Sequence, residues 1–141
     1  ILSLMENQKL VAEGAGAVPV AAALFHKLPI EGKKVVCLIS GGNIDVNILN
    51  RVITRGLVMS GRKANLTIAL EDKPGQLERV AAIVSRCGSN VVSVLHDGSD
   101  PNMPISSCFL KLTLETRDNA QIEQIRQELT KEGFQLVAER V

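Results

Sequence analysis

The 141-residue chain has no tryptophan and no tyrosine, and only three phenylalanines. So few aromatic faces leave little on which exposed bases can stack, and a formal net charge of +1 supplies no basic field for a phosphate backbone. No nucleic-acid partner is expected. Cysteine is scarce as well: Cys37, Cys87 and Cys108 are widely spaced, odd in number and free of any C-x-x-C pair. That pattern supports neither a disulfide framework nor a metal site, and it suits a reducing, cytoplasmic setting. Long apolar runs are also missing. The opening Ile1-Leu2-Ser3-Leu4-Met5 lacks a basic flank and meets Glu6-Asn7-Gln8-Lys9 at once, so neither a signal peptide nor a membrane partner is expected. It reads as the tail of a helix that begins upstream. What is present is ordinary for a globular chain, with 45% hydrophobic and 22% charged residues. The length admits one domain, or a small domain joined to part of another.

The pattern changes near Ser60-Gly61-Arg62, which places a boundary between residues 1–60 and 61–141. Before it, Glu13-Gly14-Ala15-Gly16-Ala17 reads as a flexible turn and Val18 to Phe25 as a helix with Pro19 in its first turn. A dinucleotide fingerprint is disfavoured, because only the first two glycines of G-x-G-x-x-G are present and an acid precedes them. Lys33 to Ile39 is unbroken and β-branched, the character of a parallel strand buried on both faces. Ser40-Gly41-Gly42-Asn43 leaves the carboxyl end of that strand, where an open α/β sheet binds its ligands. From Asp45 onward, Val46, Leu49, Val52 and Ile53 recur at helical spacing.

Three blocks in this region, Glu13 to Ala17, Cys37 to Asp45 and Arg51 to Leu57, resemble the end of the catalytic domain of threonine dehydratases (threonine ammonia-lyases). The resemblance implies pyridoxal phosphate in the parent enzyme and a truncated α/β remnant of its second fold type here. In that family the serine of the S-G-G-N turn, matched by Ser40, faces the pyridine nitrogen, and Gly41 and Gly42 complete the turn. A hydroxyl partner moderates the ring as an electron sink and favours β-elimination. Glu13 matches an acid near the ring. The family's Schiff-base lysine and phosphate loop lie upstream of the matched region, and Lys9, Lys33 and Lys34 do not replace them. No cofactor is therefore expected on this chain by itself, and no catalytic residue is assigned to it.

Past Arg62 the sequence predicts β-α-β-β-α-β. Leu66, Ile68 and Leu70 alternate along a strand, and Glu71-Asp72-Lys73-Pro74-Gly75 turns into a helix carrying Leu77, Val80, Ala81, Val84 and Cys87. Gly88 ends that helix, Val91 to Leu95 forms a second strand, and His96 to Asn102 reads as a polar loop. Cys108, Leu110, Leu112 and Leu114 alternate along a third strand. Asp118 with Gln121 signals the cap of a second helix bearing Ile122, Ile125 and Leu129, and Phe134 to Ala138 forms the last strand. The fold class is α+β, a ferredoxin-like domain with one sheet face, bearing Phe109 and Val137, left for a partner to cover.

This span resembles an ACT domain, on Leu70 to Leu77 and Gly88 to Val92. The resemblance implies an amino-acid effector held between subunits of a homodimer or higher homo-oligomer. Asp72, Pro74 and Gly75 would come from one subunit and Asn90 and Val91 from another, with the backbone N–H groups at Gly75 meeting a carboxylate and Asp72 an amino group. The whole chain then reads as the carboxyl-terminal part of a threonine dehydratase, which converts L-threonine to 2-oxobutanoate and ammonia. The competing reading is a free-standing amino-acid sensor that dimerises and has no enzyme activity.

Overall fold

In the computed structural model, residues 1–101 and 103–137 are described, so Asn102 of the expected loop and Ala138 of the expected last strand lie outside the described residues. The chain divides into two compact units, Ile1–Gly56 and Leu57–Val141. The first holds a single π-helical turn, Leu4–Gln8, and helix α1, Gly14–Leu24; helix α2, Val46–Met59, runs across the boundary. The second contains β1 (Lys63–Glu71), α3 (Gln76–Arg86), β2 (Asn90–Asp97), β3 (Ser107–Glu115), α4 (Asn119–Lys131) and β4 (Gln135–Val137).

The second unit is the β-α-β-β-α-β arrangement its periodicity predicts. Its four strands form one antiparallel sheet in the order β2-β3-β1-β4. Along β1 and β3 every second residue is apolar, so pairing Leu66 with Leu112, Ile68 with Leu110 and Leu70 with Cys108 gives one continuous greasy face. Helices α3 and α4 cover it with Val80, Ile83, Val84, Ile125 and Leu129, none more than 2% exposed. The helix spacing had pointed to Leu77; that residue is half exposed, and Ile83 takes the core position. The opposite sheet face carries Phe109 beside Ala69, Val137 beside Thr67, and Leu95 beside Lys111. Strand β2 is longer than expected and takes in His96 and Asp97, because an irregularity between Val91 and Ser93 lets the strand resume its pairing with β3.

One buried polar side chain ties the two helices together. Gln121 is 2% exposed; its Nε2 donates to the Cys87 carbonyl that ends α3 (2.8 Å), and its Oε1 accepts from the Arg117 N–H (2.7 Å). Its own N–H is taken by the Asp118 carboxylate at 2.8 Å, the cap that the sequence signalled.

The first unit departs from expectation in two places. Helix α1 begins at Gly14 instead of Val18, with the Glu13 carbonyl accepting from the Ala17 N–H, so the glycine-alanine run is the first helical turn and Pro19 lies inside the helix. Lys33 to Ile39 is not a strand, and Val36 and Leu38 are 95% and 77% exposed. A strand exists only as part of a hydrogen-bonded ladder, and no second strand stands among the described residues of this unit to pair with it. Asp45 does begin a helix: its Oδ1 accepts from the N–H groups of Asn47 and Ile48.

Replacing Gln121 by Met keeps the volume but leaves the Cys87 carbonyl and the Arg117 N–H without partners. The expected loss is about 2–4 kcal/mol of stability in chemical denaturation, since each stranded group costs about 1–3 kcal/mol.

Candidate functional site

In the first unit the structure brings together the two motifs assigned to the cofactor. The Glu13 N–H donates to the Gly41 carbonyl at 3.1 Å. A Cβ on Gly16 would lie 1.9 Å from the Ser40 carbonyl oxygen, and one on Gly41 would lie 2.5 Å from Glu13 Oε1. Glycine at both positions is what lets the segments touch, and Gly41 also has φ +78°, which side chains resist. Gly42 is packed on the Val11 carbonyl in the same way, with a Cβ position 3.0 Å from that oxygen. Ser40 is exposed and Glu13 is half-buried. These residues suit one edge of a planar cofactor. They include no cationic side chain for its phosphate.

In the second unit the residues after β1 surround a depression of about 350 Å³ lined by Asp72, Pro74, Gly75, Gln76, His96 and Cys108 among others. The Asp72 N–H donates to the Ser106 carbonyl (2.8 Å), which carries the β1–β3 ladder one step past Glu71 and holds the carboxylate at the sheet's end. Lys73 is paired with Glu71. Gly75 adopts φ +88° and starts α3 without any side-chain cap, and the first helical bond runs from the Arg79 N–H to the Gly75 carbonyl. The N–H groups of residues 76–78 therefore face outward at the positive end of the helix dipole.

The structure adds three residues the sequence reading did not assign to a site. Gln76 Oε1 is a buried acceptor without a hydrogen-bond partner. His96 Nε2 lies 3.4 Å from Asp72 Oδ1, and Cys108 is buried beneath them. Burial, and then the negative charge of Asp72, push the Cys108 thiol above its ordinary range. The sequence around His96 has the character of a loop; only the pairing of β2 with β3 reveals its place. Asn90 and Val91 lie elsewhere. Asn90 pairs with Glu115, at the end of β3 opposite Ser107, and its Nδ2 donates to Glu115 Oε2 at 3.1 Å. Within one protomer they stand a full strand length, about 27 Å at 3.4 Å per residue, from the β1–α3 turn.

Sequence comparison places these two units in context. The chain is 48% identical over 136 residues, 96% of its length, to the L-threonine ammonia-lyase of Thermotoga maritima. Over almost all its length, this chain is similar to that ammonia-lyase. The ammonia-lyase of Geobacter sulfurreducens is 39% identical over 134 residues, and the biosynthetic L-threonine dehydratase of Halalkalibacterium halodurans is 40% identical over 78 residues, or 55% of this chain. The chain spans about a third of the length of the first two ammonia-lyases, 34% and 33%. No protein-family model matches it. Among solved structures, the ACT domain of GTP pyrophosphokinase from Chlorobium tepidum aligns at a TM-score of 0.41 and 15% identity, covering 53% of this chain and 96% of that one. No helix among the described residues is long and apolar enough to cross a membrane.

Proposed function

We propose that this chain is the carboxyl-terminal part of a threonine ammonia-lyase, its first sixty residues closing one side of a pyridoxal phosphate site and residues 61–141 forming an ACT-type regulatory domain. The similarity to two ammonia-lyases over 96% and 95% of this chain carries this reading. When bound, the cofactor supplies an electron-withdrawing ring for β-elimination from L-threonine. This chain's part would be positional: the exposed Ser40 hydroxyl would meet the ring nitrogen, Gly41 and Gly42 would let the backbone approach, and Glu13 would stand beside them as a polar wall. The proton-abstracting lysine has no counterpart among the matched residues. The longer protein should therefore release 2-oxobutanoate from L-threonine in a coupled assay, whereas this chain mixed with pyridoxal phosphate should release none; turnover by the chain alone would contradict the assignment. Three free cysteines suit the cytoplasm.

The regulatory reading rests on the β1–α3 turn. An α-amino acid carries an anionic and a cationic group a few ångströms apart, and this turn offers a complement to each. Uncapped N–H groups at the start of α3 receive the carboxylate, while Asp72 and the partnerless Gln76 Oε1 receive the ammonium. Pro74 and Gly75 shape the approach. Asn90 and Val91 of a second copy complete the pocket, because those of the same copy stand at the far end of the sheet. The homodimer also covers the sheet face bearing Phe109, Leu95 and Val137.

In calorimetry with a chelator present, one of isoleucine, valine, threonine or serine should bind. Asp72→Asn should weaken that binding by at least about tenfold, roughly 1.4 kcal/mol, while leaving the circular dichroism spectrum unchanged. Unaltered affinity in the folded variant would remove Asp72 from the site, and no binding to the unmodified chain would favour a purely structural dimerisation module.

A further inference from the structure

The sheet assembles three different ligand-type side chains that the sequence scatters. His96 pairs with Leu110 and Leu70 with Cys108, so His96, Cys108 and Leu70 share the helix-covered face. Asp72 stands two residues beyond Leu70 and continues that face past the end of the ladder. Cys108 is thus diagonal to both His96 on one neighbouring strand and Asp72 on the other, the spacing at which cross-strand side chains still reach one another. One donor atom from each of the three lies within 4.8 Å of the others, with the His96–Asp72 pair at 3.4 Å. All three line the same depression, and so does Gln76, whose buried Oε1 has no donor.

We propose that Asp72, His96 and Cys108 bind a divalent transition-metal ion of the zinc type, with a fourth position open to the depression. The donor set decides the class of ion. Thiolate and imidazole suit zinc and cobalt, whereas magnesium and calcium require oxygen ligands throughout. Tetrahedral zinc, with metal–nitrogen and metal–oxygen bonds near 2.0–2.1 Å and metal–sulfur near 2.3 Å, needs donors roughly 3.3–3.6 Å apart. The His96–Asp72 separation already meets that requirement. Binding replaces the Cys108 proton by the ion, so the thiol becomes a metal-bound thiolate, one proton leaves to solvent and no oxidation occurs. Three protein ligands leave one position for a water, and a water held there gives Gln76 Oε1 the donor it lacks.

The depression then has two states. With the ion absent, Asp72 is available to an ammonium group; with it present, Asp72 serves the ion, whose open position accepts an anionic oxygen. The metal site does not rest on the amino-acid reading, and its test contains no amino acid.

The full chain, kept reduced, is titrated with Co²⁺ and then with Zn²⁺. One equivalent of cobalt should give a thiolate-to-cobalt charge-transfer band with the visible bands of a tetrahedral ion, and one equivalent of zinc should abolish both. Cys108→Ala should lose the charge-transfer band, while Cys37→Ala keeps it. Because Cys108 is in the core, His96→Gln provides a second arm: His96 is half exposed, so this variant stays folded, and its cobalt affinity should fall at least about tenfold, the loss that even an outer-shell partner causes. Absence of cobalt binding, a band that survives Cys108→Ala, or an unchanged affinity in His96→Gln would each overturn the assignment.

Discussion

The second unit depends on the register of β1 against β3. Nine successive pairs, from Lys63 with Glu115 to Glu71 with Ser107, fix which side chains face the helices and which face outward. Because the side-chain period along a strand is two, a slip of one residue would exchange Leu66, Ile68 and Leu70 for Asn65, Thr67 and Ala69 on the helix side. The apolar face of β3 makes that slip expensive: it would set Cys108, Leu110, Leu112 and Leu114 against polar neighbours, and burying these side chains contributes about 1.5–3 kcal/mol each. The same register determines the chemistry at the end of the sheet. Asp72 is the next helix-side position after Leu70, and Cys108 is the first on β3, so core and candidate site are consecutive parts of one pattern.

The two helices of this unit begin differently. Helix α4 is closed by Asp118, whose carboxylate takes the Gln121 N–H, and Gln121 in turn satisfies Arg117 and the end of α3. Helix α3 begins at Gly75 with no side-chain cap. Capping contributes about 1 kcal/mol, and α3 begins without it at the edge of the depression where Gln76 Oε1 has no hydrogen-bond partner, which is the arrangement the effector proposal draws on.

How far the sequence was legible follows from how local each signal is. Alternation along Leu66 to Leu70 and Cys108 to Leu114, and the Asp118–Gln121 cap, are properties of short segments, and each appears in the structure as read. Lys33 to Ile39 has the composition of a buried strand, but a strand needs a neighbour, and composition cannot supply one. Helix α1 starts at Gly14 because Glu13 and Gly41 fix the approach of the two segments, a contact between distant residues. His96 is the clearest miss: beside Asp97-Gly98-Ser99 it has the local grammar of a loop, and only the irregularity in β2 keeps it in the ladder opposite Leu110. The proximity of His96, Asp72 and Cys108 was invisible for the same reason. The resemblance to threonine dehydratases, by contrast, was carried by ordered motifs over the first part of the chain, and the sequence comparison extends it to 96% of the length.

The central claim is that the β1–α3 turn is where this chain meets a small amino acid. Backbone amide NMR of the full chain during titration with L-isoleucine and L-valine, in the presence of a chelator, tests it most directly. Saturable shifts centred on the amides of Gln76, Leu77 and Glu78, with a second set at Asn90 and Val91, are the expected result. Shifts confined to the segments around Glu13 and Ser40, or none at the start of α3 when ligand is saturating, would contradict the account.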